Sequence, residues 1–199
     1  MSKPGRASKQ RLIVGVSGAS GAIYGIRLLE QLRELTAGTV QTHLVITPSG
    51  EKTISLETDY PISRVRKMAD FVHGYADIAA PIASGSFITM GMVVVPCSMR
   101  TLSDIAHSRA DNLLVRCADV TLKEGRKLVI VPRETPIHKG HIRLMLTAAE
   151  NGAVILPPMP AFYHRPASVD DIVNHTVGKI LDQFGVEHGI FKRWEGGGG

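Results

Sequence analysis

Three glycines and two serines in residues 15–21 (GVSGASG) stand at spacings suited to holding an anion. Gly15, Gly18 and Gly21 let a ligand come close to the backbone, and Ser17 and Ser20 supply hydroxyl donors. A helix opening just after them would aim its free N–H groups and the positive end of its dipole at the turn. The chemistry this predicts is binding of an anion, above all a phosphate. The spacing G-x-x-G-x-x-G is neither the dinucleotide G-x-G-x-x-G nor the G-x-x-x-x-G-K-[ST] loop. A tight turn that only packs a helix on a strand would use the same residues. Residues 97–101 (CSMRT) offer a second polar turn of this kind, in which Arg100 adds a cation.

The flanking periodicity says what positions these turns. Residues 12–16 are apolar over a length that suits a buried strand and not a helix. From Ala22 the period becomes helical, with Ile23, Ile26 and Leu29 inward and Arg27, Glu30 and Arg33 outward. Residues 36–39 make a turn, 40–47 a second strand, and Pro48 opens a helix that continues over 49–59. Residues 64–73 read as helical, and 79–86 (AAPIASGS) as a loop. A strong buried strand at 91–96 leads through the second polar turn into a helix at 102–107. Further elements are a helix at 112–123, a strand at 127–131 ended by Pro132, an amphipathic helix at 137–150 and a short strand at 153–156. A proline-rich loop spans 157–166, and Ser168 caps a helix over 169–184 with Asp170 and Asp171 in its first turn. Five or six strands alternating with helices predict an α/β fold with a parallel sheet, in the three-layer α/β/α, Rossmann or flavodoxin-like arrangement. Ligands of such sheets lie at the carboxyl ends of strands. The turns carrying residues 17–20, Thr47, residues 98–101 and Arg133-Glu134 would then face one crevice.

Composition excludes several classes. The chain has 199 residues, 44% hydrophobic and 21% charged, which fits one domain with a full core over residues 11–194. The basic residues 1–10 and the glycine-rich residues 195–199 read as flexible tails. No apolar stretch reaches the roughly 18 residues of a membrane span, and no apolar signal core follows the start. The net charge of +5 favours anionic ligands, but the cations are scattered, so a nucleic-acid partner is not indicated. Cys97 and Cys117 lack metal spacing, and no H-E-x-x-H or C-x-x-C occurs. Free thiols in a reducing cytoplasm and a metal-free protein are expected.

Taken together and in order, GVSGASGAIYG (15–25), PIASGS (81–86), PCSMRTLS (96–103), NLLVRCADVTLKEGRKLVIVPRETP (112–136) and PPMPAFYHRP (157–166) resemble the UbiX-type flavin prenyltransferases. The resemblance runs from about Arg11 to Trp194. The same superfamily holds flavin-dependent cysteine decarboxylases, whose P-x-M-N-x-x-M-W signature is replaced here by Pro132-Arg133-Glu134-Thr135. The resemblance implies transfer of a dimethylallyl group from dimethylallyl monophosphate to N5 of reduced FMN, followed by ring closure at C6, without a metal. It implies that prenylated FMN passes to a UbiD-type decarboxylase. It also implies homododecamers built from trimers, with the flavin site between subunits. The other readings are an FMN-dependent oxidative decarboxylase of a cysteine-containing substrate and a non-catalytic flavin carrier.

By the resemblance, Gly18, Ala19, Ser20, Thr47, Ser98, Met99, Arg100, Thr101 and Arg133 contact FMN. Ala83, Ser84 and Gly85 form a small loop beside flavin and prenyl group, unless they are an ordinary surface loop. Arg116, Lys123, Tyr163 and Lys179 hold the donor phosphate. Lys179 stands where some members carry arginine, so charge is kept and the bidentate fork is lost. Fixed cations stabilise the negative charge that develops on a departing phosphate. Glu134 is the acid that protonates it and Lys123 its clamp. Without the resemblance, Lys123 suits a solvated helix end and Arg133-Glu134 a surface turn equally well. Glu57 accepts the C6 proton, directly or through Ser20, or is an exposed acid on the second helix. Trp194 either closes over the prenyl group or packs a C-terminal tail against a neighbouring subunit.

Overall fold

In the computed structural model, which describes residues 9–193, the first apolar run becomes strand β1 (Gln10–Val16) and the residues after Gly21 become helix α1 (Ala22–Leu35). Strand β2 (Val40–Ile46) leads directly into α2 (Pro48–Glu57), capped by Thr47 and opened by Pro48. A short helix α3 (Ile62–Arg66) and a three-residue strand β3 (Phe71–His73) follow. Strand β4 (Gly91–Cys97) and helix α4 (Met99–Ala106) form the second strand–turn–helix unit. Helix α5 (Leu113–Lys123), strand β5 (Lys127–Pro132), helix α6 (Lys139–Glu150), strand β6 (Ala153–Ile155) and helix α7 (Val169–Gln183) complete the order.

The strands form one sheet in the order β3-β2-β1-β4-β5-β6, and every neighbouring pair is parallel. Strand order runs outward in both directions from the β1–β4 pair, so a crevice is expected at their carboxyl ends. Helices α1 and α7 cover one face through Leu28, Leu29, Leu32, Val177, Ile180 and Leu181. Helices α4, α5 and α6 cover the other through Leu102, Leu114, Cys117 and Ala148. Burial on both faces explains the unbroken apolar runs of β1, β4 and β5. Each fully buried Leu or Ile contributes about 1.5–3 kcal/mol relative to exposure.

The sequence pattern and the structure part company at residues 64–73. The helix ends at Arg66, and Phe71–His73 pairs with β2, with His43 opposite Phe71 and Val45 opposite His73. Tertiary contacts decide the matter. Asp70 accepts hydrogen bonds from Thr42 N and Oγ1 at 2.8 and 2.9 Å, and His43 Nδ1 lies 3.0 Å from His73 Nε2. His43 also stacks on Phe71, with ring centroids 4.8 Å apart. A single helical turn has too few hydrogen bonds of its own to compete. Two boundaries also move. Helix α4 begins at Met99 because Ser98 caps it, and α6 begins at Lys139 because His138 accepts from Gly140 N. Among the described residues no helix is long and apolar enough to cross a membrane.

Candidate active site

The turns after β1 and β4 are tied together at the carboxyl edge of the sheet. Ser17 Oγ donates to Pro96 O at 3.1 Å and accepts from Ser98 N at 2.8 Å. Ser17 is 1% exposed, so its hydroxyl serves the scaffold and not a ligand, contrary to the sequence expectation. Gly18 lets the turn lie directly on α2, because a side chain there would stand 2.5 Å from Ser49 Cβ. Gly21, at φ 99°, takes the left-handed conformation that glycine adopts without strain and starts α1.

The N-terminus of α1 holds a second correction. Helix α2 stays at the carboxyl edge, and its last residue, Glu57, accepts hydrogen bonds from Gly21 N at 2.8 Å and Ala22 N at 3.0 Å. The N–H groups expected to meet a phosphate therefore meet the protein's own carboxylate. Burial pushes the Glu57 carboxyl up. The Ser20 hydroxyl, the Ala22 and Gly21 amides and the charge of Arg133 outweigh that and hold it below the ordinary carboxylate range. Glu57 is thus neither a bare surface acid nor distant from the first turn.

Beside these turns, a cavity of about 340 Å³ is lined by the N-cap residues of three helices: Thr47, Ser98 and Asn112. Their side chains accept from Gly50 N, Thr101 N and Val115 N at 2.9, 3.2 and 3.0 Å. Other first-turn amides of these helices have no partner inside their own helix. Lys52 and Arg100 add positive charge to the cavity wall, Asp104 adds a negative one, and Tyr75 closes a side. The sequence reading missed Lys52, Tyr75, Asp104 and Asn112 as lining residues. The asparagine ahead of an apolar helix was a readable cap signal. Nothing in the helical period of residues 64–73 points to Tyr75, which follows the edge strand β3.

Arg133 follows β5, and its amide donates to Cys97 O at 3.1 Å. Its Nε is buried without a hydrogen-bond partner. A buried donor left unpaired is unfavourable by about 1–3 kcal/mol, so the position calls for an acceptor. Glu134 beside it is exposed, and its Oε1 accepts from Thr135 N at 3.0 Å. The carboxyl edge therefore collects Gly18, Ala19, Ser20, Thr47, Ser98, Met99, Arg100, Thr101, Glu57, Arg133 and Glu134.

The remaining predicted residues lie elsewhere in the chain. Helix α5 starts at the carboxyl edge, where Leu113 N donates to Tyr75 O at 3.0 Å, and ends at Lys123 where β5 begins. Five steps of about 3.3 Å between its six residues put the two ends of β5 about 17 Å apart. Lys123 is half exposed, its Nζ 2.5 Å from Glu124 Oε1. The loop with Ala83, Ser84 and Gly85 lies at that same lower end, where Arg126 donates to Gly85 O at 2.6 Å and Phe87 O at 2.9 Å. Arg116, at the end of the first turn of α5, pairs with Asp119 at 3.1 Å. Lys179 sits on α7 and pairs with Asp182 at 3.6 Å, and Tyr163 is 85% exposed. Trp194 lies outside the described residues. Within one chain, Lys123 and the 83–85 loop therefore stand at the opposite end of β5 from Arg133 and Glu134. Among the described residues no group of three or more His, Cys, Asp or Glu side chains is arranged to hold a metal ion.

The flavoprotein family profile matches residues 1–181. The chain is 58% identical over 189 residues to flavin prenyltransferase UbiX of Escherichia coli K12, covering 94% of this chain and 99% of that protein. It superposes with a TM-score of 0.92 on AnUbiX, crystallised with FMN and dimethylallyl pyrophosphate, at 49% identity over 96% of this chain and all of the other. A dodecameric FMN-dependent UbiX-like decarboxylase from Escherichia coli O157:H7 matches with a TM-score of 0.91 and 53% identity, over 94% of this chain and all of the other. The chain belongs to the flavoprotein family and, within it, to the UbiX-type flavin prenyltransferases.

Proposed function

We propose that this flavin prenyltransferase takes its dimethylallyl group from dimethylallyl monophosphate, and that its active site is completed by a second copy of the chain. The observation that carries this is the separation of about 17 Å between the Arg133-Glu134 end of β5 and the Lys123 end. One copy supplies the flavin turns with Glu57, Arg133 and Glu134. Another supplies Ala83, Ser84, Gly85, Arg116 and Lys123. The exposed apolar side chains Ile142, Leu146, Met159 and Phe162 suit a surface that other copies cover. The dodecameric relative supports a homododecamer.

The residues present fit FMN. The capped cavity with Lys52 and Arg100 suits a phosphate-bearing chain, and the unpaired Arg133 Nε suits a flavin acceptor. The solved relative that holds FMN and dimethylallyl pyrophosphate supports both ligand classes. Bound reduced FMN supplies the nucleophilic N5 and C6 positions. As the donor C–O bond breaks, Lys123, Lys179 and Tyr163 stabilise charge on the departing phosphate, and Glu134 delivers a proton to it. Glu57, with Ser20 donating to it, is placed to take a proton from the flavin edge. We place the reaction in the cytoplasm, where the buried free thiols of Cys97 and Cys117 persist. A UbiD-type decarboxylase receives the product.

Anaerobic incubation with reduced FMN and dimethylallyl monophosphate, followed by mass analysis of the released flavin, tests the reading. A gain of one five-carbon unit is expected, and faster with the monophosphate than with the pyrophosphate. FMN of unchanged mass, with oxidation of a cysteine-ended substrate, would replace it with the decarboxylase reading.

A further inference from the structure

Residues 186–193 fold back along α7, and Asp182 is where they are fastened. Arg193 donates to both its oxygens, Nη2 to Oδ1 at 2.6 Å and Nη1 to Oδ2 at 3.2 Å. The fully buried His188 places Nε2 3.1 Å from Asp182 Oδ1 and 2.9 Å from Gly178 O. Phe191 rests on Gly178, where any side chain would stand 2.4 Å from its ring. Its ring also meets those of His175 and His188, with centroids 4.8 and 5.3 Å away. One turn before Asp182 on the same helix, Lys179 Nζ stands 3.6 Å from Oδ2. On the turn before that, His175 stacks on His164 with centroids 5.1 Å apart, pinning the loop that carries Tyr163 to α7. One carboxylate thus serves an ammonium, a guanidinium and an imidazole at once.

We propose that Asp182 is a positioning residue for the prenyl donor: it holds the Lys179 ammonium and the returning segment in one arrangement on α7, ready for the donor phosphate. This rests on the assignment of Lys179 to that phosphate. A free lysine stem samples many rotamers and loses that freedom on binding, so a neighbour that already restrains it strengthens binding. Asp182 does not withhold Lys179 from the ligand. Its two oxygens are engaged by Arg193, and 3.6 Å is longer than the roughly 2.7–2.9 Å of a full charge-assisted hydrogen bond. A phosphate dianion offers Lys179 the stronger partner.

The test uses the assembled enzyme. Asp182→Asn should raise the donor KM by about tenfold, with kcat and the FMN Kd changed by less than about twofold, and Asp182→Glu should recover part of the loss. In a Lys179→Ala background the same Asp182→Asn change should add nothing, because residues acting through one contact are not additive. Additive effects, or an FMN Kd that rises with the donor KM, would assign Asp182 a purely structural role and overturn the proposal. Should the asparagine variant fail to fold, Arg193→Gln takes its place. With the guanidinium gone, the arrangement around Asp182 should loosen and the donor KM should rise, again only while Lys179 is present. An unchanged KM there would equally overturn it. A Lys179→Ala enzyme with normal donor KM but intact prenyl transfer would instead remove the donor-site assignment beneath the proposal.

Discussion

Glu57 and Glu134 are both carboxylates at the carboxyl edge of the sheet, and their surroundings give them different work. Glu57 gathers two backbone amides and the Ser20 hydroxyl, which keeps it ionised and makes it a counter-charge to the α1 dipole. Glu134 is exposed and has its own neighbour's amide as partner, which leaves it able to meet a ligand. Glu134→Gln should lower kcat by about 10²–10⁴-fold, the range of a lost general acid, while FMN affinity by fluorescence titration stays unchanged. An active Gln variant would remove Glu134 from the chemistry. Glu57→Gln should destabilise the fold by about 0.5–1 kcal/mol at neutral pH. The folded pKa of Glu57 lies below its unfolded value. Its stabilisation is therefore fully present above the ordinary carboxylate range and fades as pH falls through the depressed value. Urea melts of the two proteins should converge in acid, and a gap independent of pH would contradict the charge argument.

At the scale of elements, the strand–turn–helix units were legible because each carries its own signal: apolar run, polar turn, cap, helical period. Ser168 shows this best, since it is the expected cap and, with Asp171, also closes a capping box. What a signal does with its donors was not legible. The first turn is expected to offer its amides to a phosphate, whereas Gly21 N donates to Glu57, 36 residues away in sequence. No local pattern reports a contact of that separation. The same holds for β3, where pairing with β2 and the His43–His73 contact override a helical period. That edge makes its own prediction. Burial, the neighbouring His73 and Arg11 lower the His43 pKa to about 4, with Asp70 partly opposing them. The unfolded chain therefore binds the proton first, so stability is full above about pH 6.5 and is lost between there and about pH 4. The loss should be on the order of 3 kcal/mol by urea titration, and much smaller in a His43→Gln variant.

For the whole molecule, the sheet order sets the cavity, Arg133 and Glu134 at the carboxyl edge, whereas Lys123 lies at the other end of β5. Lys123 and Glu134 stand at opposite ends of β5, and packing within one chain cannot shorten that strand. Residue spacing by itself does not distinguish a site closed within a chain from one closed between chains; only the resemblance of the motifs points to a site between subunits. The direction of α5 against β5 supports that reading within the structure. The most direct test is complementation. Lys123→Ala and Glu134→Gln chains, each purified as an inactive assembly, are also co-expressed under two tags and isolated as mixed assemblies. Recovery of prenylated FMN in the mixture, where some sites pair the intact Lys123 of one chain with the intact Glu134 of another, is the predicted result. Mixed assemblies as inactive as their parents would mean that every site draws both residues from one chain, and would contradict the account.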